Sequence, residues 1–93
     1  MSLDGKNILI TGAAKRIGRC FALTVAQAGA NVFIHYNHSK EDAVELQSII
    51  LATGREAHLL QADFNDPDQV KSIFNQLLLF KPLFALINNA SIF

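Results

Sequence analysis

Four short runs rich in branched and aromatic residues, Asn7–Ile10, Val32–Tyr36, Ala57–Gln61 and Leu83–Ile87, alternate with three stretches of helical periodicity. Almost continuously apolar runs of this length fit strands buried on both faces, which is the habit of a parallel sheet. Parallel neighbours need a crossover, and a helix of ten or so residues supplies it. The order β-α-β-α-β-α-β with short connections therefore predicts an α/β fold, a parallel sheet with helices on both faces. Strand order 3-2-1-4 is the one expected of a doubly wound sheet whose order reverses beside the first strand. The fourth strand then lies at an edge.

The helical stretches carry their own punctuation. In the first, Ile17, Phe21, Val25 and Ala28 recur at three- and four-residue steps and Gly29 is the stop. Ser39 reads as the cap of a second helix whose apolar face uses Val44, Leu46, Ile49, Ile50 and Leu51, ended by Gly54. Asp66 caps a third that starts at Pro67 and carries Val70, Ile73, Phe74, Leu77 and Leu78 before Lys81-Pro82 breaks it.

Between the first strand and the first helix lies Thr11-Gly12-Ala13-Ala14-Lys15-Arg16-Ile17-Gly18. Gly12 permits a sharp turn, and Gly18 lets the helix lie close to the strand or to a ligand. The first turn of a helix has unpaired N–H groups and partial positive charge, so it favours a phosphate. Lys15, Arg16 and Arg19 concentrate three of the eight Lys and Arg residues there. No Gly-Lys-Ser/Thr follows, so a triphosphate loop is excluded, and the spacing is not Gly-x-Gly-x-x-Gly. The plainer alternative is an ordinary strand-to-helix connection with a solvated basic turn. As a ligand site, the turn predicts a dinucleotide diphosphate.

At the end of the second strand an acidic residue would accept bonds from a ribose 2′-hydroxyl and repel a 2′-phosphate. The segment reads His35-Tyr36-Asn37-His38-Ser39, with no carboxylate before Glu41. NADP(H) is therefore expected over NAD(H), with Lys15 and Arg16 supplying charge. Tyr36 as a packing aromatic and His38 as a solvated loop residue are the plainer readings.

The sequence, 51% apolar and 17% charged, suits one domain with a real core, and its zero net charge gives no general attraction for nucleic acid or anionic membrane. The single Cys20 excludes an internal disulfide framework, fits a reducing, cytoplasmic setting and reads as a small buried residue. No apolar run reaches membrane-spanning length, and the three histidines lack partners at metal spacing.

Thr11-Gly12 with Gly18, Asp63 after the third strand and Asn88-Asn89-Ala90 after the fourth together resemble the short-chain dehydrogenase/reductase family over the whole chain. The run Thr11 to Gly18, His35-Tyr36-Asn37-His38-Ser39 and Asn89-Ala90-Ser91-Ile92-Phe93 look like its pteridine reductase branch. Arg16 stands where the family usually has glycine, and Ser91 where it usually has glycine after Asn-Ala. The resemblance implies a Rossmann-like sheet, residues 1–93 forming the N-terminal part of one dinucleotide-binding domain truncated after its fourth strand. It implies that Asp63 meets the adenine amino group with Phe64 beside the ring, and that Asn89 and Ala90 approach the cofactor ribose. Ser91 and Phe93 then line the nicotinamide and a pterin or folate substrate. For Asp63 a loop carboxylate capping nearby N–H groups is the alternative, and for Phe93 a frayed terminus.

The family protonates substrate through a tyrosine with a lysine four residues on, aided by a serine, all beyond the fourth strand. The only tyrosine is Tyr36, and Tyr36 and Lys40 straddle a strand-to-helix boundary. The expectation is thus the cofactor-binding half of an NADPH-dependent reductase that passes hydride to a C=N or C=O bond, inactive by itself and homo-oligomeric. The alternative is a non-catalytic nucleotide-binding or assembly module that oligomerises through its exposed edge strand. A methyltransferase lacks the acidic strand end that holds a ribose diol.

Overall fold

The computed structural model describes residues 2–77, 79 and 82–89. Four strands, β1 (Asn7–Ile10), β2 (Asn31–Tyr36), β3 (Ala57–Gln61) and β4 (Leu83–Ile87), alternate with α1 (Arg16–Gln27), α2 (Lys40–Ala52) and α3 (Pro67–Leu77). They form one parallel sheet in the order β3-β2-β1-β4, as expected of a doubly wound sheet. Leu9 of β1 pairs with Phe33 of β2 and with Leu86 of β4, so the carboxyl ends of the strands line up at one rim.

The two-residue period of the strands divides the core. Ile8, Ile10, Val32, Ile34 and Tyr36 face α1 and α2, joined by Ala22, Ala26, Leu46 and Ile50. Leu9, Phe33, Leu60 and Ala62 face the opposite side, where Ile73 and Leu77 of α3 cover them.

Helix faces differ from the periodicity reading. In α1 the buried residues are Gly18, Ala22 and Ala26, whereas Ile17 is 64% and Phe21 43% exposed. Small residues at four-residue steps let the helix axis come close to the sheet where the turn enters it, and the bulkier neighbouring stripe is left to solvent. Cys20, expected inside, is exposed because it lies two residues round the helix from Gly18. In α2 the inward stripe is Ala43, Leu46 and Ile50, and Val44, Ile49 and Leu51 are exposed. In α3 Ile73 and Leu77 are buried and Phe74 is exposed, while Leu78 lies outside the described residues.

The caps also divide. Ser39 occupies the N-cap position of α2, but its hydroxyl makes no capping bond, and the first turn relies on the charges of Glu41 and Asp42. Asp66 does cap α3. Its Oδ1 accepts the Asp68 N–H at 3.0 Å, its Oδ2 accepts the Gln69 Nε2–H at 3.1 Å, and Pro67 opens the helix.

Strand β4, expected to be buried, is open on the α3 side. Ala85 and Ile87 pack towards α1, but Phe84 and Leu86 are 58% and 53% exposed. Beside them a cleft of about 290 Å³, lined by Leu9, Phe64, Val70, Phe74 and Leu86, runs between α3 and β4. No described helix is long and apolar enough to cross a membrane.

The small-residue contact predicts opposite responses from adjacent positions on α1. Ala22→Leu is expected to cost about 1–3 kcal/mol by overpacking, and Ile17→Ser to stay within about 0.5 kcal/mol of the parent. Urea denaturation of the two variants checks this, and the reverse ranking contradicts the assignment of the buried face.

Candidate dinucleotide site

The turn after β1 is fastened to both neighbouring strands. On the β4 side, the Thr11 N–H donates to the Ile87 carbonyl at 3.0 Å and the Thr11 hydroxyl to Asn88 Oδ1 at 3.0 Å. The Asn89 N–H donates back to the Thr11 oxygen at 2.8 Å, and the Asn89 amide to the Gly12 carbonyl at 3.2 Å. On the β2 side, the Ala13 N–H donates to the His35 carbonyl at 3.0 Å and the Gly12 N–H to His35 Nδ1 at 2.9 Å. The chain leaves β1 with Gly12 at a φ of +62°, a left-handed conformation that glycine adopts without steric cost.

The other end of the His35 ring lies 3.0 Å from the Ala62 carbonyl, just past β3. A backbone N–H only donates and a carbonyl only accepts. The imidazole therefore carries its hydrogen on Nε2 and is neutral. Phe64 stacks on it with centroids 4.0 Å apart. Burial pushes the ring's basicity below its ordinary value, partly opposed by the bond to Ala62.

Gly18 fixes how closely α1 approaches. A Cβ at this position would run into the Gly12 carbonyl and come within 2.6 Å of Asn89 Nδ2, so only glycine lets turn, helix and Asn89 meet. Just before it, Arg16 has a φ of +56°, a left-handed conformation that costs a side-chain-bearing residue about 1 kcal/mol. That geometry suits the glycine that usually stands there in the family the sequence resembles.

This folding leaves a row of donors. The N–H groups of Ala14, Lys15, Arg16, Ile17 and Gly18 have no acceptor among the described residues. They lie at the N-terminus of α1, at the carboxyl rim of the sheet, beside the β1–β4 boundary where the strand order reverses. Open parallel sheets bind ligands at that switch point, and the donor row suits a diphosphate.

The cations beside it differ in their engagement. Lys15 Nζ lies 3.5 Å from Asp42 Oδ2, with both side chains largely in water. Such an exposed pair is worth little, and a phosphate competes with it readily. Arg19 donates to Glu45 at 2.8 Å, whereas Arg16 forms no ion pair among the described residues.

The remaining candidates fall into place around this rim. Tyr36 closes the α1/α2 core and is almost buried. Asn37 is held by the Gln61 amide at 3.2 Å through its carbonyl. His38 is exposed, and Ser39 stands at the start of α2. Asp63 Oδ1 accepts the Asn65 N–H at 2.9 Å, and its Oδ2 accepts no bond from a described residue. Ala90, Ser91 and Phe93 lie outside the described residues. No group of metal-ligating side chains occurs among the described residues.

Three contributions escaped the sequence reading. Thr11 is the hub of the turn, a role that its place in the Thr11-Gly12 pair does not by itself reveal. Gln69 bonds both the Asp63 N–H, at 2.8 Å, and Asp66, and the Asp-x-x-Gln spacing was the signal for it. The Lys15–Asp42 and Arg19–Glu45 pairs join separate helices and left no local trace.

Fold and rim together define a Rossmann-like α/β unit with an open row of backbone donors at its first turn. The chain belongs to the short-chain dehydrogenase family, whose short chain dehydrogenase model matches residues 6–93. It is 40% identical over 88 residues to the 3-oxoacyl-(acyl-carrier-protein) reductase FabG of Staphylococcus aureus, covering 94% of this chain and 36% of that protein. A short chain dehydrogenase from Burkholderia cenocepacia J2315 in complex with NADP superposes with a TM-score of 0.92 at 39% identity, over 100% of this chain and 38% of that one. FolM alternative dihydrofolate reductase 1 from Brucella canis, complexed with NADP, gives 0.86 at 32% identity, over 95% and 36%. The chain thus spans little more than a third of the length of these relatives.

The neutral His35 makes folding stability depend on pH. In the unfolded chain the ring titrates near 6.5, and in the folded chain lower. Between the two values the unfolded state holds the extra proton, so this contribution is complete above about pH 6.5 and falls as pH drops towards the folded value. Urea midpoints at about pH 7.5 and about pH 5.5, above most carboxylate titration, are expected to show lower stability at the acid value. His35→Asn is expected to remove most of that difference, and an equal difference in both proteins contradicts the assignment.

Proposed function

We propose that this chain is the NADP(H)-binding portion of a short-chain reductase. The observation that carries the reading is the row of N–H groups from Ala14 to Gly18, which have no acceptor among the described residues, with the Lys15 and Arg16 side chains alongside. A diphosphate supplies the missing acceptors, and the two cations offset its charge. The rim between β2 and α2 presents Asn37, His38 and Ser39 and no carboxylate before Glu41, so a 2′-phosphate meets donors instead of repulsion. Asp42 is the acid paired with Lys15, and its hold is weak enough to yield to a phosphate. The NADP bound to the Burkholderia and Brucella relatives supports this preference.

Within that reading the open Asp63 oxygen accepts the adenine amino group, Phe64 flanks the base, and Asn89 and Ala90 serve the ribose. Ser91 and Phe93 belong to the nicotinamide and substrate side. The bound cofactor supplies the hydride that reduces a C=N or C=O bond. A pterin or folate is the substrate class we favour, a choice supported by the sequence run at Thr11–Gly18 and by the likeness to the FolM reductase. Proton delivery is not provided by these residues. Tyr36 is sealed into the core at the end of β2 and Lys40 opens α2, so the pair shares no helix face. The chain alone is accordingly proposed to bind cofactor without turnover.

A second reading rests on β4, the edge strand of the sheet, whose outer row of backbone groups invites a second copy of the chain to pair along it, with the exposed Phe84 and Leu86 beside that edge. A solution mass of twice the chain with no nucleotide affinity favours that assembly role.

Calorimetric titration separates the readings. NADPH is expected to bind about tenfold or more tightly than NADH, since one charge-assisted contact to the 2′-phosphate is worth that much. Lys15→Ala and Arg16→Ala should each narrow the ratio. Equal affinity for the two nucleotides, or none for either, rejects the NADP(H) assignment.

A further inference from the structure

The buried imidazole of His35 plays no part in holding a ligand directly, being 3% exposed beneath the turn. Its contacts nevertheless set the turn's shape. Nδ1 receives the Gly12 N–H, Nε2 donates to the Ala62 carbonyl, and the His35 carbonyl receives the Ala13 N–H. One residue thus joins the turn, β2 and the end of β3. The result is that the Gly12 and Ala13 N–H groups are consumed inside the protein, and the open donor row begins at Ala14.

We propose that His35 is a positioning residue for the dinucleotide turn, acting only as the neutral Nε2–H tautomer, so that its protonation releases Gly12 and weakens nucleotide binding. The inference rests on the NADP(H) reading given above. A hydrogen on Nδ1 would face the Gly12 N–H, donor against donor, and the bond is lost instead of merely lengthened. The charged groups on the surrounding elements are Lys15 and Arg16 on the turn, Asp63 and Asp66 after β3, and Asp68 and Lys71 on α3. Lys15 is paired with Asp42, and among the described residues none forms an ion pair with the His35 ring. No neighbouring carboxylate therefore compensates an imidazolium, and burial already disfavours it. Asparagine is the informative replacement. Its Oδ1 stands where Nδ1 does and accepts the Gly12 N–H, and it does not titrate, although its amide falls short of the Ala62 carbonyl.

The test uses the whole chain and NADP⁺ as the probe, from about pH 8 down to about pH 5.5 across the histidine range. Wild-type affinity is expected to fall progressively towards the acid end, approaching a loss of about tenfold, the equivalent of one buried hydrogen bond, only as the ring becomes fully protonated. His35→Asn should lose that fall while keeping near-wild-type affinity at the alkaline end. Any pH dependence it retains belongs to groups other than this ring, the ligand's own phosphate among them, and a slope equal to wild type overturns the proposal. Nitrogen-15 spectra of the histidine ring supply an independent reading. A hydrogen on Nε2, with Gly12 amide exchange accelerating as the ring titrates, supports the role, whereas a hydrogen on Nδ1 or an indifferent Gly12 amide overturns it. Should NADP⁺ bind at no pH, the cofactor reading fails, and the pinning of the turn is decided by the Gly12 amide alone.

Discussion

The bonds that tie the turn between β1 and α1 to its two flanking strands are what the site depends on. Thr11 and Gly12 are held by Ile87, Asn88 and Asn89 on one side, and Gly12 and Ala13 by His35 on the other. Buried polar groups are costly unless paired, and here each partner is supplied by a strand end already fixed in the sheet. Once Gly12 and Ala13 have donated inward, the next amides find no acceptor among the described residues. Sheet pairing, the buried histidine and the open donor row are therefore consequences of one arrangement.

The same arrangement explains the small residues on α1. Gly18 sits against the Gly12 carbonyl and Asn89, and Ala22 and Ala26 continue the close contact along the sheet. Tight approach at the helix start brings the helix N-terminus to the rim, where its partial charge acts on a ligand. Arg16 keeps a left-handed backbone at some steric cost. It places a permanent cation within the donor row itself, at a position where glycine would have been conformationally easier.

The alternation of strands and helices was legible because parallel strands buried on both faces leave continuous apolar runs. The sheet order was legible only as the order expected of a doubly wound sheet, since connection rules alone leave other orders open. The turn was legible from Gly12, Gly18 and the flanking cations. Helix faces were not, since periodicity ranks residues by hydrophobicity and the packing here selects them by size: Ile17 and Phe21 satisfy the period but are too large for the contact that Ala22 makes. The place of β4 was legible and its burial was not, because an apolar strand reads alike whether or not its far face is covered, as Phe84 and Leu86 show. His35 looked like one of several neutral donors at the strand end. That its ring turns under the loop to meet Gly12 depends on pairing between β1 and β2, which no local pattern records.

Amide spectra of the chain titrated with NADP⁺ test the account most directly. The largest shifts are expected at Ala14 to Gly18, with smaller ones at Asp63 and Asn89, all on the carboxyl rim. Shifts confined to the cleft between α3 and β4, or none at the α1 N-terminus under saturating nucleotide, would contradict it.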